Sequence, residues 1–323
     1  MWHTPSTELA HDDAPVMSPT PLVLCAVDFS PSSADVVRHA VACAAGAGLD
    51  RDSGGALTLL HVVEPLLVQA AAMTVDAQAI RDECRQALAA LASSVTSTAL
   101  AQPPTLEVRV GLPHVEILKA AADAPARLVV LGTQGQTGAA RLFFGSTAQR
   151  VLRETVTPTL VVPPGASPIV REEPAGPALA VAHVIAALDF SDATAATAQA
   201  AASLAVRTGA RLTLAHVVPE ARGLERWAAL VEAHQAQRTA RAGEELAQFA
   251  RELQAQVPDV RVSALQGEPE RVLAALASEQ PHTLLVMGMR RGAGLLSPQP
   301  GSTAYKVLCL ARAPVLVVPT RLR

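Results

Sequence analysis

Short apolar runs alternate with amphipathic segments along most of the chain. Runs rich in valine and leucine and bounded by turn residues lie at 22–27, 57–63, 105–110, 128–131 and 159–162. Uninterrupted apolar runs of this length indicate strands buried on both faces of a parallel sheet. Between two of these runs, a helix with one buried face is predicted by residues at helical spacing, namely Ile80, Cys84, Leu88, Leu91 and Val95. Five strands joined by crossover helices predict a doubly wound α/β domain.

The whole pattern occurs twice. An apolar run that ends in Asp-Phe-Ser lies at 22–30 and again at 183–191. Leu-Thr-Leu, followed one residue later by His-Val-Val, lies at 57–63 and at 212–218. Six such matches follow one another in the same order, about 156 residues apart, which is the signature of a duplicated unit. We therefore predict two tandem domains, each with a five-stranded parallel sheet.

The domain boundaries follow from local composition. We place the first domain at 20–164 and the second at 182–320. The segment 165–181 contains proline, glycine and charged residues without periodicity, which is typical of a linker. Residues 1–19 contain acidic residues and prolines but no apolar segment, so we expect a disordered tail and not a signal peptide.

Composition restricts the function classes. Of 323 residues, 50% are hydrophobic, 17% are charged and only 2% are aromatic, so the cores are expected to consist of alanine, valine and leucine. The net charge is −3, and Lys119 and Lys306 are the only lysines, which argues against nucleic-acid binding. No apolar run is long enough to cross a membrane, so we expect a soluble cytoplasmic protein.

The four cysteines do not form a recognisable motif. Cys25, Cys43, Cys84 and Cys309 are widely spaced and include no C-x-x-C pair. A disulfide framework or a zinc site is therefore not expected, and we interpret these residues as packed thiols.

Candidate chemistry lies at the strand ends. Asp28 and Asp189 end the first strand of each repeat, and Gly132 and Gly288 end the fourth. Ligands of doubly wound sheets bind beyond the carboxyl ends of the strands, where the strand order reverses. From Gly132 the sequence has the spacing G-x2-G-x9-G-S, which ends in Gly-Ser-Thr at 145–147. Glycines let backbone amides approach an anion, and a helix that begins at Gly-Ser-Thr offers free N–H groups to phosphates.

These motifs, in this order and in both repeats, resemble the universal stress protein family, and the chain is similar to a tandem two-domain member over 22–163 and 183–319. In ATP-binding members the glycine motif holds the ribose and phosphates, and the first-strand aspartate and the valine after the second-strand histidine line the nucleoside pocket. The resemblance implies an ATP site in the first domain, formed by Asp28, Val62, Gly132, Gly135, Gly145, Ser146 and Thr147. Whether Mg²⁺ accompanies the ATP is left open. The corresponding residues of the second domain are Asp189, Val217, Gly288, Gly301, Ser302 and Thr303. Because Arg291 replaces the second motif glycine there, we expect nucleotide chiefly in the first domain.

Simpler roles remain open for several of these residues. Asp28 and Asp189 could only cap the first helix of each repeat, and the glycines could form only a flexible turn. His61 and His216 lie inside apolar strands without a partner at metal-binding spacing, and we interpret them as hydrogen-bonded core histidines. No metal-ligating residue is assigned.

A binding protein is favoured over a catalyst. Segment 133–144 contains no carboxylate, histidine or lysine that could serve as a base or nucleophile, and no catalytic residue is assigned. The first hypothesis is an ATP-binding regulatory or stress-response module. The alternatives are a slow ATPase and, as the non-ATP branch of the family suggests, a nucleotide-free chaperone-like or assembly protein.

The last strand of each repeat predicts a pairing surface. The apolar segments 159–162 and 315–318 are short and flanked by prolines, and an exposed edge of this kind invites pairing. The family resemblance implies dimerisation through the final strand in single-domain relatives. We therefore expect the two domains to pair with each other as a pseudo-dimer, and a further homodimer of whole chains is left open.

Overall fold

The computed structural model describes residues 22–45, 55–66, 77–95, 98, 100–133, 144–220, 228–290 and 302–320. The predicted tail at 1–19 lies outside these residues. So do two nominated site residues, Gly135 and Gly301, and the replacement Arg291.

The first repeat alternates strands and helices. Its elements are β1 (Leu22–Val27), α1 (Ser33–Ala45), β2 (Ala56–Val63), α2 (Ala77–Ser94), β3 (Thr105–Val110), α3 (Pro113–Asp123), β4 (Ala126–Gly132), α4 (Ser146–Glu154) and β5 (Thr159–Val162). The five strands lie where the apolar runs predict them, with ends that differ by no more than two residues. The prediction succeeds because these strands are covered on both faces, so burial is visible as continuous apolar sequence.

The segment assigned to the linker contains a β-hairpin, which the sequence did not predict. Strand β6 (Val170–Glu173) pairs antiparallel with β7 (Gly176–Leu179). The hairpin packs against α1 of the first repeat, and Arg38 on that helix forms an ion pair of 3.3 Å with Glu172. The strands are only four residues long, and β6 carries exposed charges while β7 begins with Gly-Pro, so the sequence has no hydrophobic period to detect.

The second repeat has the same order of elements. They are β8 (His183–Ala187), α5 (Thr194–Thr208), β9 (Arg211–Val218), α6 (Ala228–Leu253), β10 (Val260–Gln266), α7 (Pro269–Ser278), β11 (Thr283–Arg290), α8 (Thr303–Leu310) and β12 (Val315–Thr320). The predicted α/β fold with two doubly wound repeats is confirmed.

One sheet runs through both repeats in the order β10-β9-β8-β11-β12-β5-β4-β1-β2-β3. Strands within a repeat are parallel. At the centre, β12 and β5 pair antiparallel, with Val315 opposite Val161. In each repeat the first strand lies between the second and the fourth, so the strand order reverses there and a crevice opens at their carboxyl ends.

Helices cover both faces of this sheet, and each face has a core that extends through both repeats. Cys25 and Cys43 are buried in one of these cores, and Cys84 and Cys309 are half-buried, all as free thiols. Burial raises the pKa of the Cys43 thiol to about 12, so this group is protonated and unreactive at neutral pH. Among the described residues, no helix combines the length and apolarity that crossing a membrane requires.

Candidate functional site

The crevice of the first repeat forms a cavity of about 520 Å³ at the carboxyl ends of β1, β2 and β4. This volume lies within the range of small-molecule sites. The structure brings six of the seven nominated residues to its wall, namely Asp28, Val62, Gly132, Gly145, Ser146 and Thr147. The seventh, Gly135, lies outside the described residues.

Asp28 orders the turn between β1 and α1. Its Oδ1 accepts a hydrogen bond from the Ser30 backbone N–H at 2.9 Å and another from the Ser33 hydroxyl at 3.0 Å. Both contacts lie in the turn that leads into α1, and neither uses a backbone N–H of the helix itself. The half-buried carboxylate also lines the cavity, so ordering of the turn and contact with a ligand do not exclude each other here.

The start of α4 forms another part of the wall. The Gly145 N–H donates to the Thr133 carbonyl at 2.7 Å, and the helix begins at the next residue. In the described part of the chain, no side chain caps this helix end, so its first N–H groups lack an intrahelical or side-chain acceptor. Such a terminus attracts anions. Space is tight at Gly145, where a Cβ atom would lie 3.1 Å from the Thr133 carbonyl oxygen.

The second repeat has a smaller cavity of about 370 Å³ at the equivalent place. Five of its six nominated residues line it, namely Asp189, Val217, Gly288, Ser302 and Thr303. Gly301 is not among the described residues. The carboxylate of Asp189 is exposed and accepts hydrogen bonds from the hydroxyl and the backbone N–H of Ser191.

The two cavities differ most at the helix that follows the fourth strand. Helix α8 is capped by Ser302, whose hydroxyl accepts a hydrogen bond of 3.3 Å from the Tyr305 N–H. The equivalent N–H of α4, that of Gln149, donates instead to the Gly145 carbonyl at 2.9 Å, because α4 begins one residue earlier in its repeat. Lining residues also change, because Met289 and Pro219 replace Thr133 and Glu64. The second cavity is also smaller, and the Ser302 hydroxyl that lines it is already engaged at its own helix start.

A histidine and a phenylalanine tie the first two strands together beside each cavity. His61 Nδ1 lies 2.8 Å from the Val27 carbonyl oxygen, and its ring lies 4.3 Å from that of Phe29. In the second repeat His216 makes the same hydrogen bond to Leu188, at 2.7 Å, and lies 4.4 Å from Phe190. A carbonyl can only accept, so Nδ1 donates in both repeats.

Burial is the main influence on the ionisation of His61. It lowers the pKa of the imidazole, against smaller raising effects from the Val27 hydrogen bond and the Asp28 charge. The ring is therefore neutral at pH 7, as expected for a hydrogen-bonded core histidine. The role of the phenylalanine was not recognised in the sequence, although its recurrence in both Asp-Phe-Ser segments was a visible signal.

The described residues contain no group of three or more histidine, cysteine, aspartate or glutamate side chains arranged to hold a metal ion. Among the residues that the structure describes, the ionisable side chains that line the first cavity are Asp28, His61 and Glu64. This part of the site can accept hydrogen bonds at its carboxylates, and it offers N–H and hydroxyl donors at the start of α4.

Comparison with known proteins places both repeats in one family. The family model described as Universal stress protein family matches residues 22–163 and 181–319. Universal stress proteins MJ0531 and MJ0577 of Methanocaldococcus jannaschii are 43% and 36% identical over 56 and 53 residues, which are 17% and 16% of this chain. These matches span 33% of the length of each relative.

The fold is also similar to a solved structure. A universal stress protein from Archaeoglobus fulgidus superposes with a TM-score of 0.55 at 19% identity, over 92% of this chain and 98% of that one. At this identity the similarity concerns the fold alone.

Proposed function

The chain belongs to the universal stress protein family, and from that premise we propose that it is a cytoplasmic ATP-binding regulatory module of the stress response. The nucleotide is held chiefly by the first domain. The observation that carries the proposal is the uncapped start of α4, which opens into a cavity of about 520 Å³.

The start of α4 suits the phosphates of ATP. Its free N–H groups and the hydroxyls of Ser146 and Thr147 are donors on one wall of the cavity, and the helix dipole favours negative charge there. The absence of a side chain on Gly145 lets the backbone approach the ligand. A magnesium ion, where present, would be held mainly by the phosphates and water, as Mg²⁺ commonly is in nucleotide sites.

The opposite wall suits the nucleoside. Asp28 offers a carboxylate that can accept hydrogen bonds from ribose hydroxyls or an exocyclic amine, and Val62 offers apolar contact to a base. The hydrogen bonds from Ser30 and Ser33 hold this carboxylate in place before the ligand arrives. A fixed acceptor reduces the ordering cost of binding.

The second domain is a weaker candidate. Its cavity is smaller, Asp189 is exposed, and Ser302 already accepts from an N–H of the helix start. We therefore propose that ATP occupies the first domain at concentrations at which the second stays largely empty. We further propose that the two domains stay paired in solution through β5 and β12, as a pseudo-dimer within one chain.

The test compares equivalent variants of the two domains. Full-length protein is purified without added nucleotide, mass spectrometry identifies any nucleotide that it retains, and calorimetry measures ATP binding. Asp28→Asn should weaken ATP binding roughly tenfold, since a hydrogen bond to a charged group is worth about 1.5–3 kcal/mol. Asp189→Asn, the matched control, should leave the dominant binding phase unchanged.

The contrary results are specific. No heat of binding and no thermal stabilisation by millimolar ATP would contradict a nucleotide function, because a ligand of the native state must stabilise it. Equal losses in both variants would contradict the preference for the first domain.

Slow hydrolysis is the second candidate function, since three ionisable side chains line the first cavity. Phosphate release is followed over several hours with the same protein. Turnover faster than about one per minute, a barrier near 20 kcal/mol, that is lost in Gly145→Val would identify a catalyst and contradict the pure binding module.

A further inference from the structure

An aromatic contact crosses the domain boundary between the two helices that begin at the cavities. Phe144 directly precedes Gly145 at the start of α4, and its ring meets that of Tyr305 on α8 edge-on. The centroids are 5.7 Å apart and the ring planes are inclined by 77°, which is a favourable geometry for an aromatic pair. Phe144 is only 5% exposed, so the contact is part of the core.

Cys309 lies one helical turn after Tyr305, and both side chains pack against the core cluster that contains Phe144. The second domain therefore contributes to the burial of Phe144. Tyr305 is the only tyrosine in the chain.

The start of α4 therefore has two attachments, one from each domain. Within the first domain, the Gly145 N–H is bound to the Thr133 carbonyl at 2.7 Å. From the second domain, α8 packs Tyr305 against the preceding residue, Phe144. The hydroxyls of Ser146 and Thr147 follow immediately, so a shift of Phe144 moves them relative to the cavity.

We propose that Tyr305 of the second domain is a positioning residue for the binding site of the first domain. By packing on Phe144 it fixes the start of α4, and with it the donors that face the phosphate end of the cavity. The inference rests on the proposed function in one respect, namely that the start of α4 is where phosphates bind. It implies that the first domain alone holds a less ordered site than the full chain.

The duplication supplies a suitable variant. Gln149 occupies the position on α4 that Tyr305 occupies on α8, so glutamine is already accepted at this helix position by the same fold. Tyr305→Gln removes the aromatic contact, whereas Tyr305→Phe keeps the ring and removes only the hydroxyl. Calorimetry on the full-length chain then compares ATP with adenosine, which has the same nucleoside but no phosphates.

Tyr305→Gln should weaken ATP binding roughly three- to tenfold, the range expected for the loss of one aromatic pair, and adenosine binding by less than about twofold. Tyr305→Phe should bind both ligands like the wild type. Unchanged ATP binding in Tyr305→Gln would overturn the proposal. An equal loss for ATP and adenosine would also overturn it, because that result indicates general destabilisation.

Hydrogen exchange separates this inference from the proposed function. Without nucleotide, the amides of residues 144–149 should exchange faster in Tyr305→Gln than in the wild type, and Tyr305→Phe should match the wild type. If the wild type binds no ATP, the proposed function fails, whereas exchange still decides whether Tyr305 orders the start of α4. Unchanged exchange at 144–149 in Tyr305→Gln contradicts the positioning role.

Discussion

Phe29 adopts a left-handed backbone conformation, with φ of 59°, and packs its ring 4.3 Å from the imidazole of His61. A non-glycine residue rarely adopts this conformation, and the packing against His61 compensates for the strain. Phe190, with φ of 56°, has the same relationship to His216. The turn that carries each cavity aspartate is therefore held by an aromatic contact in both repeats.

This relationship predicts an unusual order of stabilities at Phe29. Phe29→Ala loses the ring but keeps the strained Cβ, and we expect a loss of about 2 kcal/mol in the free energy of unfolding. Phe29→Gly should be about 1 kcal/mol more stable than the alanine variant, because glycine adopts positive φ without strain. Urea denaturation measures both.

Phe249, about one turn before the end of α6, is the control. It is also half-buried but helical, so there the alanine variant should be about 1 kcal/mol more stable than the glycine variant. The same order at both positions would contradict the compensation of strain at Phe29.

The burial of His183 leads us to expect that acid lowers the stability of the second domain. Burial, together with the smaller effect of the Arg211 and Arg261 charges, lowers the pKa of this imidazole to about 4. The folded pKa lies below the unfolded value, so the unfolded state binds the proton first. Stability is then fully present above about pH 6.5 and is lost as the pH falls towards 4.

The variant His183→Leu tests this prediction, since leucine occupies the equivalent position, Leu22, in the first repeat. Urea denaturation at pH 7.5 and at pH 4.5 should show a smaller loss in the variant by on the order of 2 kcal/mol. His39 and His61 also have lowered pKa values, so part of the pH dependence remains. Equal losses in variant and wild type would show that His183 does not contribute.

Hydrogen exchange tests whether the domains pair through β5 and β12 in solution. Leu160 and Val161 on β5 are at most 2% exposed, and β12 lies beside them. In the paired molecule, these amides lie at the centre of a ten-stranded sheet and should exchange only through unfolding. The sheet-edge strands β3 and β10 are the internal control and should exchange faster. Exchange of β5 and β12 at the rate of β3 and β10 would show that the domains separate.

Gly288 should not tolerate a side chain. A Cβ atom there would lie 2.6 Å from Thr197 Oγ1 and 3.1 Å from the Cβ of Ala193. Gly288→Ala should therefore lower the free energy of unfolding by about 1–3 kcal/mol, the usual effect of overpacking. Thr197→Ala removes the nearest atom and should restore part of the loss in the double variant, as measured by urea denaturation. Full stability of Gly288→Ala alone would mean that α5 can move away from β11.

The sequence predicted those elements whose burial is visible in their own hydrophobic pattern. The strands of the first repeat were found nearly residue by residue because both faces of each are covered, and the duplication was visible because the motifs keep their order and spacing. The hairpin at 170–179 was missed, since its four-residue strands have no hydrophobic period and pack against α1 only in the folded molecule.

The candidate site also combines residues that the sequence predicted with contacts that it did not predict. Asp28, Gly132 and Gly145 could be nominated because each follows a predicted strand or precedes a predicted helix. The packing of Phe29 on His61 could not be derived, because it depends on a left-handed turn and on contact between two strands.

The sequence by itself determined two copies of one α/β unit and the positions of their candidate site residues. It could not distinguish the starts of α4 and α8, because both have the sequence Gly-Ser-Thr. Only the tertiary structure decided that Ser302 caps α8 whereas the equivalent residue, Ser146, is already the first residue of α4, and that Phe144 meets Tyr305. Local periodicity reflects the burial of each element, whereas these features depend on contacts between residues far apart in the chain.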